Sequence, residues 1–350
     1  MFTERRTNSR CYSDIELDVK RLLKRGALLA TANWQTVAIQ FVAQTTFQVL
    51  LAVPIVGAAL MVAVLLGGDV TNLVQGTLRD TLASVASALT SEPVALTAFV
   101  AAFGIVLLGG SVLMFLVKGG TMLVLIEADR QCGAIETGPI TYEALKSAAR
   151  FSMPEFVSGC GRFFQRYLVL GLLLMVVYAV SGVSYVALVV YGYRVVGEGS
   201  TTLGWTVAAA LSGGVLVLWI TMVNLAYLLL QMTIAFDEAG LVEALRAMIA
   251  FARAERRELG GIFLVVLGMV VGATLASALA WSGVGLIAFV PLVGLAVFPL
   301  QIAALLIRGL VFEYIGLTAL GAYVTLYRQY RRAPALDGSD TLRSAVPTIG

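Results

Sequence analysis

The chain has 350 residues, of which 59% are hydrophobic and 13% charged, and its formal net charge is +3. A soluble domain averages about 45–50% apolar and about 25% charged residues, so this composition excludes a soluble globular protein and requires lipid around much of the surface. The chain contains no histidine. That absence excludes histidine-ligated haem or zinc and any mechanism that depends on a Ser-His or Cys-His pair.

Residues 1–33 form a charged segment that precedes the apolar part of the chain. Ser13 and Glu16 have the spacing of a capping box, and Val19 and Leu22 follow at helical spacing. The pattern predicts an amphipathic helix that lies along the inner surface of a membrane.

Six unbroken apolar runs follow, and each can supply the roughly 20 residues that a spanning helix needs. They lie within Trp34–Leu66, Val94–Ile126, Phe163–Gly192, Gly204–Phe236, Leu259–Ser282 and Leu300–Tyr327. None has the short alternating pattern of membrane β-strands. The sequence therefore predicts an all-α, polytopic transmembrane helical bundle of about six spanning helices at residues 34–330, followed by a disordered cytoplasmic tail at 331–350.

The basic residues are distributed unevenly between the loops. They cluster before the first run, between the second and third, between the fourth and fifth, and after the last. Because loop Lys and Arg mark the cytoplasmic side, we expect both termini to be cytoplasmic. No cleavable signal peptide is expected, since no apolar stretch begins before about residue 27.

Two of the basic connectors are similar to each other at a distance of 100 residues. Without gaps, residues 116–163 and 216–263 share 13 of 48 positions. The similarity predicts a parallel internal repeat, with halves at about 94–192 and 204–282. The connectors are either interfacial elbows or docking surfaces for a cytoplasmic partner. Their candidate residues are Glu143, Leu145 and Arg150 in the first, and Glu243, Leu245 and Arg246 in the second.

The connectors also carry a family resemblance. The matching residues are Gly138, Pro139, Thr141, Glu143-Ala144-Leu145, Glu243-Ala244-Leu245-Arg246 and Gly260-Gly261. With them, residues 94–282 resemble a group of prokaryotic membrane proteins and the membrane domain fused to some glycerophosphodiester phosphodiesterases. The resemblance implies a six-helix bundle in the prokaryotic inner membrane. The catalytic barrel of those enzymes has no counterpart in this sequence, so no hydrolase activity is implied.

A few polar side chains fall inside the apolar runs. Ionisable groups in spanning helices are costly and usually face the bundle interior or a cavity. These groups either hold helices together or line a conduction path. The candidates are Glu313, Arg308, Lys118, Asn224 and Gln231.

The fifth run carries a stripe of small residues at every fourth position. Such a stripe lets another helix approach closely, either within the bundle or in an oligomer. The stripe consists of Gly268, Gly272, Ala276 and Ala280. After it, residues 283–299 carry no charge and include Pro291 and Pro299, which predicts a re-entrant or broken segment.

These patterns favour a non-catalytic scaffold or accessory subunit that contacts membrane lipids and a protein partner or a second copy of the chain. The alternative is a transporter or channel-like protein with a pathway around Glu313 and residues 283–299. Cys11, Cys132 and Cys160 lack CxxC spacing, so we expect no metal or redox centre. No cofactor and no nucleic-acid partner is expected.

Overall fold

The structure, a computed structural model, describes residues 4–66, 93–196, 200–288 and 291–343. This part of the chain contains nine helices and no strand, which confirms the all-α prediction. The helices are α1 Glu4–Ala32, α2 Trp34–Leu66, α3 Pro93–Gln131, α4 Tyr142–Ala148, α5 Met153–Val196, α6 Ser200–Asp237, α7 Leu241–Ala254, α8 Arg256–Ala288 and α9 Pro291–Arg343.

Six of these helices are long and apolar enough to cross a membrane. Their candidate spans are Trp34–Gly57, Leu96–Gln131, Met153–Val195, Gly204–Asp237, Arg256–Ser282 and Pro299–Arg332. Each falls on one of the six apolar runs found in the sequence, because an unbroken apolar run can satisfy its backbone polar groups in lipid only as a helix. The protein is therefore a multi-pass membrane protein.

Most of the contacts between helices are made by α3 and α9. α3 packs along α5 and also against α2, while α9 packs against α1, α8 and α2. A methyl group on Gly119 of α3 would lie 2.9 Å from the carbonyl oxygen of Gly159 in α5, so glycine permits this close crossing. α6 and α8 make almost no direct contact within the described residues, although α7 joins them. The two proposed repeat halves thus pack differently, and the internal repeat stays a prediction.

The N-terminal helix differs from the predicted surface helix, because its apolar face is covered by protein. Val19 and Leu22 are buried in the core, and α1 packs along α9. A methyl group on Gly26 would overlap the carbonyl oxygen of Thr318 and lie 2.8 Å from the amide nitrogen of Ala322. Contact with the last helix therefore buries the face that was expected to meet lipid.

Residues 283–299 are divided between two helices. Residues 283–288 complete α8 and residues 291–299 open α9, while residues 289–290 lie outside the described residues, so the re-entrant or broken segment stays a prediction. Pro291 is the first residue of its helix, where the missing amide hydrogen costs nothing.

At the C-terminus α9 continues to Arg343, whereas the sequence predicted disorder from residue 331; residues 344–350 lie outside the described residues.

The packed core lies towards one end of the bundle. This end, which we call the basic end, carries Arg25, Arg166, Arg253 and Arg328. The largest fully buried side chains, including Tyr167, Phe251 and Tyr327, are all near it along their helices. By contrast, no residue in the most apolar 18-residue stretch of α5 is buried. The helices are thus held together mainly at the basic end.

Candidate functional site

Asp129, in the last turn of α3, is the centre of the most buried polar cluster. Arg25 Nε of α1 lies 2.7 Å from Asp129 Oδ1, and Arg328 Nε of α9 lies 3.0 Å from Asp129 Oδ2. The hydroxyl of Thr325 donates to Oδ1 at 2.9 Å. Arg25 also pairs with Glu136 at 2.6 Å. We call these five residues the clamp, because they connect the first, third and last described helices.

Burial makes the clamp energetically important. Arg25 is 2% exposed and Asp129 is 0% exposed, and a charge buried without a partner costs several kcal/mol. The second contact of Asp129, with Arg328 Nε, is an ion pair without hydrogen-bond alignment. Arg328 also donates through Nη1 to the backbone carbonyl of Asp129. Two cations therefore share one buried carboxylate.

Arg25 also holds the loop that follows α3. Its Nη1 donates to the carbonyl of Gly133 at 2.8 Å, and its Nη2 lies 3.0 Å from Cys132 Sγ. Burial raises the pKa of the Cys132 thiol, and the positive charge of Arg25 opposes that shift. The neighbouring Lys24 donates to the carbonyls of Glu136 and Gly138. The N-terminal helix is thus fastened to the loop that includes the Gly138-Pro139 motif.

A buried asparagine ties the junction of α1 and α2 to the first connector. Asn33 Nδ2 donates to the carbonyl of Ala148 at 3.1 Å, and Asn33 Oδ1 accepts from the Arg150 amide at 2.8 Å. Thr141 caps α4, since its hydroxyl oxygen accepts from the Ala144 amide at 3.3 Å. The connector therefore has its own fixed position at the basic end.

A second polar cluster surrounds Asp237, the last residue of α6. The Tyr327 hydroxyl donates to Asp237 Oδ2 at 2.5 Å, and Arg331 Nη2 lies 3.2 Å from Oδ1. The Tyr327 ring packs edge-on against Phe236 and Phe251 at centroid distances of 5.2 and 5.0 Å. One helix, α9, thus binds the ends of both α3 and α6 through neighbouring residues.

Five of the six connector candidates are exposed, the sixth is half-buried, and the six do not converge on one site. In α4, Glu143 is exposed and Leu145 is half-buried against the core; the Arg150 side chain is exposed. In α7, Ala244 and Phe251 are buried instead of Leu245, which is 41% exposed. Glu243 and Arg246 are exposed as well.

Two predicted intramembrane charges are brought near each other. Lys118 of α3 and Glu313 of α9 are within electrostatic range of each other, but they form no salt bridge among the described residues, and Lys118 Nζ lies 5.0 Å from the centre of the Tyr227 ring. Lys118 therefore lies against α6. Among the described residues, Tyr227 Oη and Gln231 Nε2 are buried without a hydrogen-bond partner.

The remaining polar candidates are placed apart from this pair. Asn224 accepts a hydrogen bond from the Tyr178 hydroxyl of α5, which joins two neighbouring spans. Arg308 is exposed and lies 5.6 Å from the centre of the Phe312 ring. No ion pair between Arg308 and Glu313 is found in the part of the chain that the structure describes.

The small-residue stripe of α8 is divided between two environments. Gly268 and Gly272 are exposed, and no described atom lies within 4 Å of a methyl group placed on either one. Ala276 and Ala280 line a cavity between α8 and α9. The stripe is therefore not a close helix crossing within the described residues.

The geometry therefore separates three candidate features, which are the clamp at the basic end, the Lys118–Glu313 region inside the spans, and the cavity beside Arg308. The residues of the clamp were not among the candidates chosen from the sequence. Comparison of the chain with models of protein families, with curated proteins and with solved structures finds no match.

Proposed function

We propose that the protein is a non-catalytic membrane scaffold or accessory subunit that assembles through its spanning helices. The observation that carries this proposal is an exposed seam on α5, formed by Val169, Leu173, Val176, Val180 and Val183. These residues are 51–70% exposed. They follow one another at alternating spacings of four and three residues, the spacing of knobs at a helix–helix seam.

The use of the buried charges supports the same proposal. Among the described side chains, Arg25 and Asp129 are the charged residues that are buried, and they bind each other. This ion pair therefore stabilises the contact between α1 and α3 within the chain. The α5 seam, in contrast, is left available for a spanning helix of a partner protein or of a second copy.

A photoreactive amino acid in place of Val180 tests this function. On irradiation in native membranes we expect a discrete protein adduct, because a seam at helix–helix contact places the probe against a partner. In the purified, reconstituted protein, an adduct of twice the mass would identify the partner as a second copy.

The matched control places the same probe at Leu170 of α5, which is 3% exposed and should give no intermolecular adduct. Mass spectrometry of the cross-linked bands identifies the contacts. The scaffold function is wrong if probes at Val176, Val180 and Val183 all react with lipid alone in native membranes.

A transporter is the second candidate function, and the nearness of Lys118 and Glu313 inside the spans favours it. Opposite charges at this depth often mark ion or proton paths. The unpartnered Tyr227 hydroxyl beside Lys118 is a further polar group in the same region.

Replacing Glu313 by glutamine separates the two functions. For a scaffold, we expect Glu313→Gln to lower stability by about 1–2 kcal/mol, because Lys118 loses a compensating charge, and to leave ion flux unchanged. Thermal melting and the response of a pH-sensitive dye in proteoliposomes measure the two effects. Glu143→Gln, on the exposed surface, is the control. A flux that Glu313→Gln abolishes without altering the melting temperature would establish transport instead.

A further inference from the structure

A cavity of about 380 Å³ lies between α8 and α9. Its walls are mostly apolar, with side chains such as Ala273, Leu305 and Val311, and its polar lining comes from Ser277, Gln301 and Arg308. The volume falls within the range of about 300–1,000 Å³ that ligand sites occupy. A mostly apolar pocket with one cationic side chain matches an amphiphile that carries a negative head group.

Within residues 4–66, 93–196, 200–288 and 291–343, Arg308 has no anionic partner. Among the described residues, Arg308 contacts the Phe312 ring and forms no ion pair. A guanidinium ion in a spanning helix is costly unless an opposite charge or the head-group layer receives it. An anionic group from outside the described part of the chain would compensate this charge.

The position of Arg308 along α9 indicates where that partner lies. Arg308 precedes Arg328 by 20 residues, which corresponds to about 30 Å of helix and to the thickness of the hydrocarbon core. Since Arg328 belongs to the basic end, Arg308 lies towards the opposite side of the bundle, nine residues inside the candidate span Pro299–Arg332. Trp281 also lines the cavity, and tryptophan is enriched at the head-group level.

We propose that this cavity is a binding site for an anionic phospholipid of the leaflet opposite the basic end. The guanidinium of Arg308 pairs with the phosphate, an arrangement that arginine favours. One acyl chain lies in the apolar space between α8 and α9, towards Val311 and Ala273. The site is separate from the α5 seam, so it stands whether or not the scaffold function does.

Native mass spectrometry of the full chain tests the site. The protein is extracted from vesicles with equal amounts of phosphatidylglycerol and phosphatidylcholine, and the retained lipids are counted. We expect wild-type protein to retain phosphatidylglycerol preferentially. Arg308→Gln should reduce that retention about fivefold, the effect of losing one basic residue at a membrane surface. Arg194→Gln, which removes an exposed arginine at the far end of α5, should have no effect.

A second variant tests the apolar half of the site. Ala276→Phe fills the cavity while keeping Arg308, and we expect it to reduce the retention of phosphatidylglycerol as well. The lipid site is refuted if Arg308→Gln and Arg194→Gln lower retention equally, since the effect would then be general surface charge. It is also refuted if Ala276→Phe retains lipid at the wild-type level.

Discussion

Asp129→Asn is expected to destabilise the protein by about 3–5 kcal/mol, the cost of removing one partner from a buried ion pair. The substitution preserves the size of the side chain but leaves Arg25 and Arg328 at the basic end without the carboxylate that they share. Denaturant unfolding in detergent micelles, followed by circular dichroism, measures the loss. A second substitution, Arg328→Met, should restore part of the stability, because it removes one of the two uncompensated charges.

Glu238→Gln is the matched control for this change. Glu238 pairs with Arg162 at 2.5 Å, but the two side chains are 55% and 51% exposed, so the pair contributes less than about 1 kcal/mol. If Asp129→Asn costs no more than Glu238→Gln, the clamp does not hold the helices together.

Gly26→Ala should lower stability by about 1–3 kcal/mol, the usual cost of overpacking. The added methyl group meets backbone atoms of Thr318 and Ala322, which cannot rotate away as a side chain can. α1 and α9 must therefore move apart, and the contact of Arg25 with Cys132 loosens. Cys132 should then react faster with a maleimide at pH 8, as measured by mass spectrometry of its tryptic peptide.

Gly161→Ala provides the comparison for this glycine. No described atom lies within 4 Å of a methyl group placed on Gly161 of α5, so the alanine meets nothing and gains up to about 1 kcal/mol of helix propensity. The two variants should thus change stability in opposite directions. A Gly26→Ala protein that is as stable as Gly161→Ala would show that α1 and α9 are not closely packed.

The spans could be predicted from the sequence because each apolar segment in lipid must satisfy its own backbone hydrogen bonds, independently of the rest of the chain. A run of apolar residues such as Leu259–Ser282 must form a helix to satisfy its backbone in hydrocarbon. The same local reasoning predicts an interruption within the stretch 283–299 from its prolines. Pro291 begins α9, a position that accepts proline.

The clamp could not be predicted because its members are far apart in the chain. Arg25 is one of many basic residues whose uneven distribution indicates membrane orientation, and Asp129 stands at the end of an apolar run with Glu127 nearby. No pattern in the sequence around either residue indicates that the two side chains are in contact. Gly26 did offer a signal, since a glycine inside a helical pattern costs about 1 kcal/mol and usually has a packing reason.

The clamp is completed late in synthesis, because its members are far apart in the chain. Asp129 lies 104 residues after Arg25 and 199 residues before Arg328, so the ribosome finishes the third partner long after the first two. Until α9 enters the membrane, Gly26 lacks the helix that covers it, and Asp129 can hold only the N-terminal arginine. A chain that stops before its last span thus leaves Gly26 uncovered and Asp129 without Arg328.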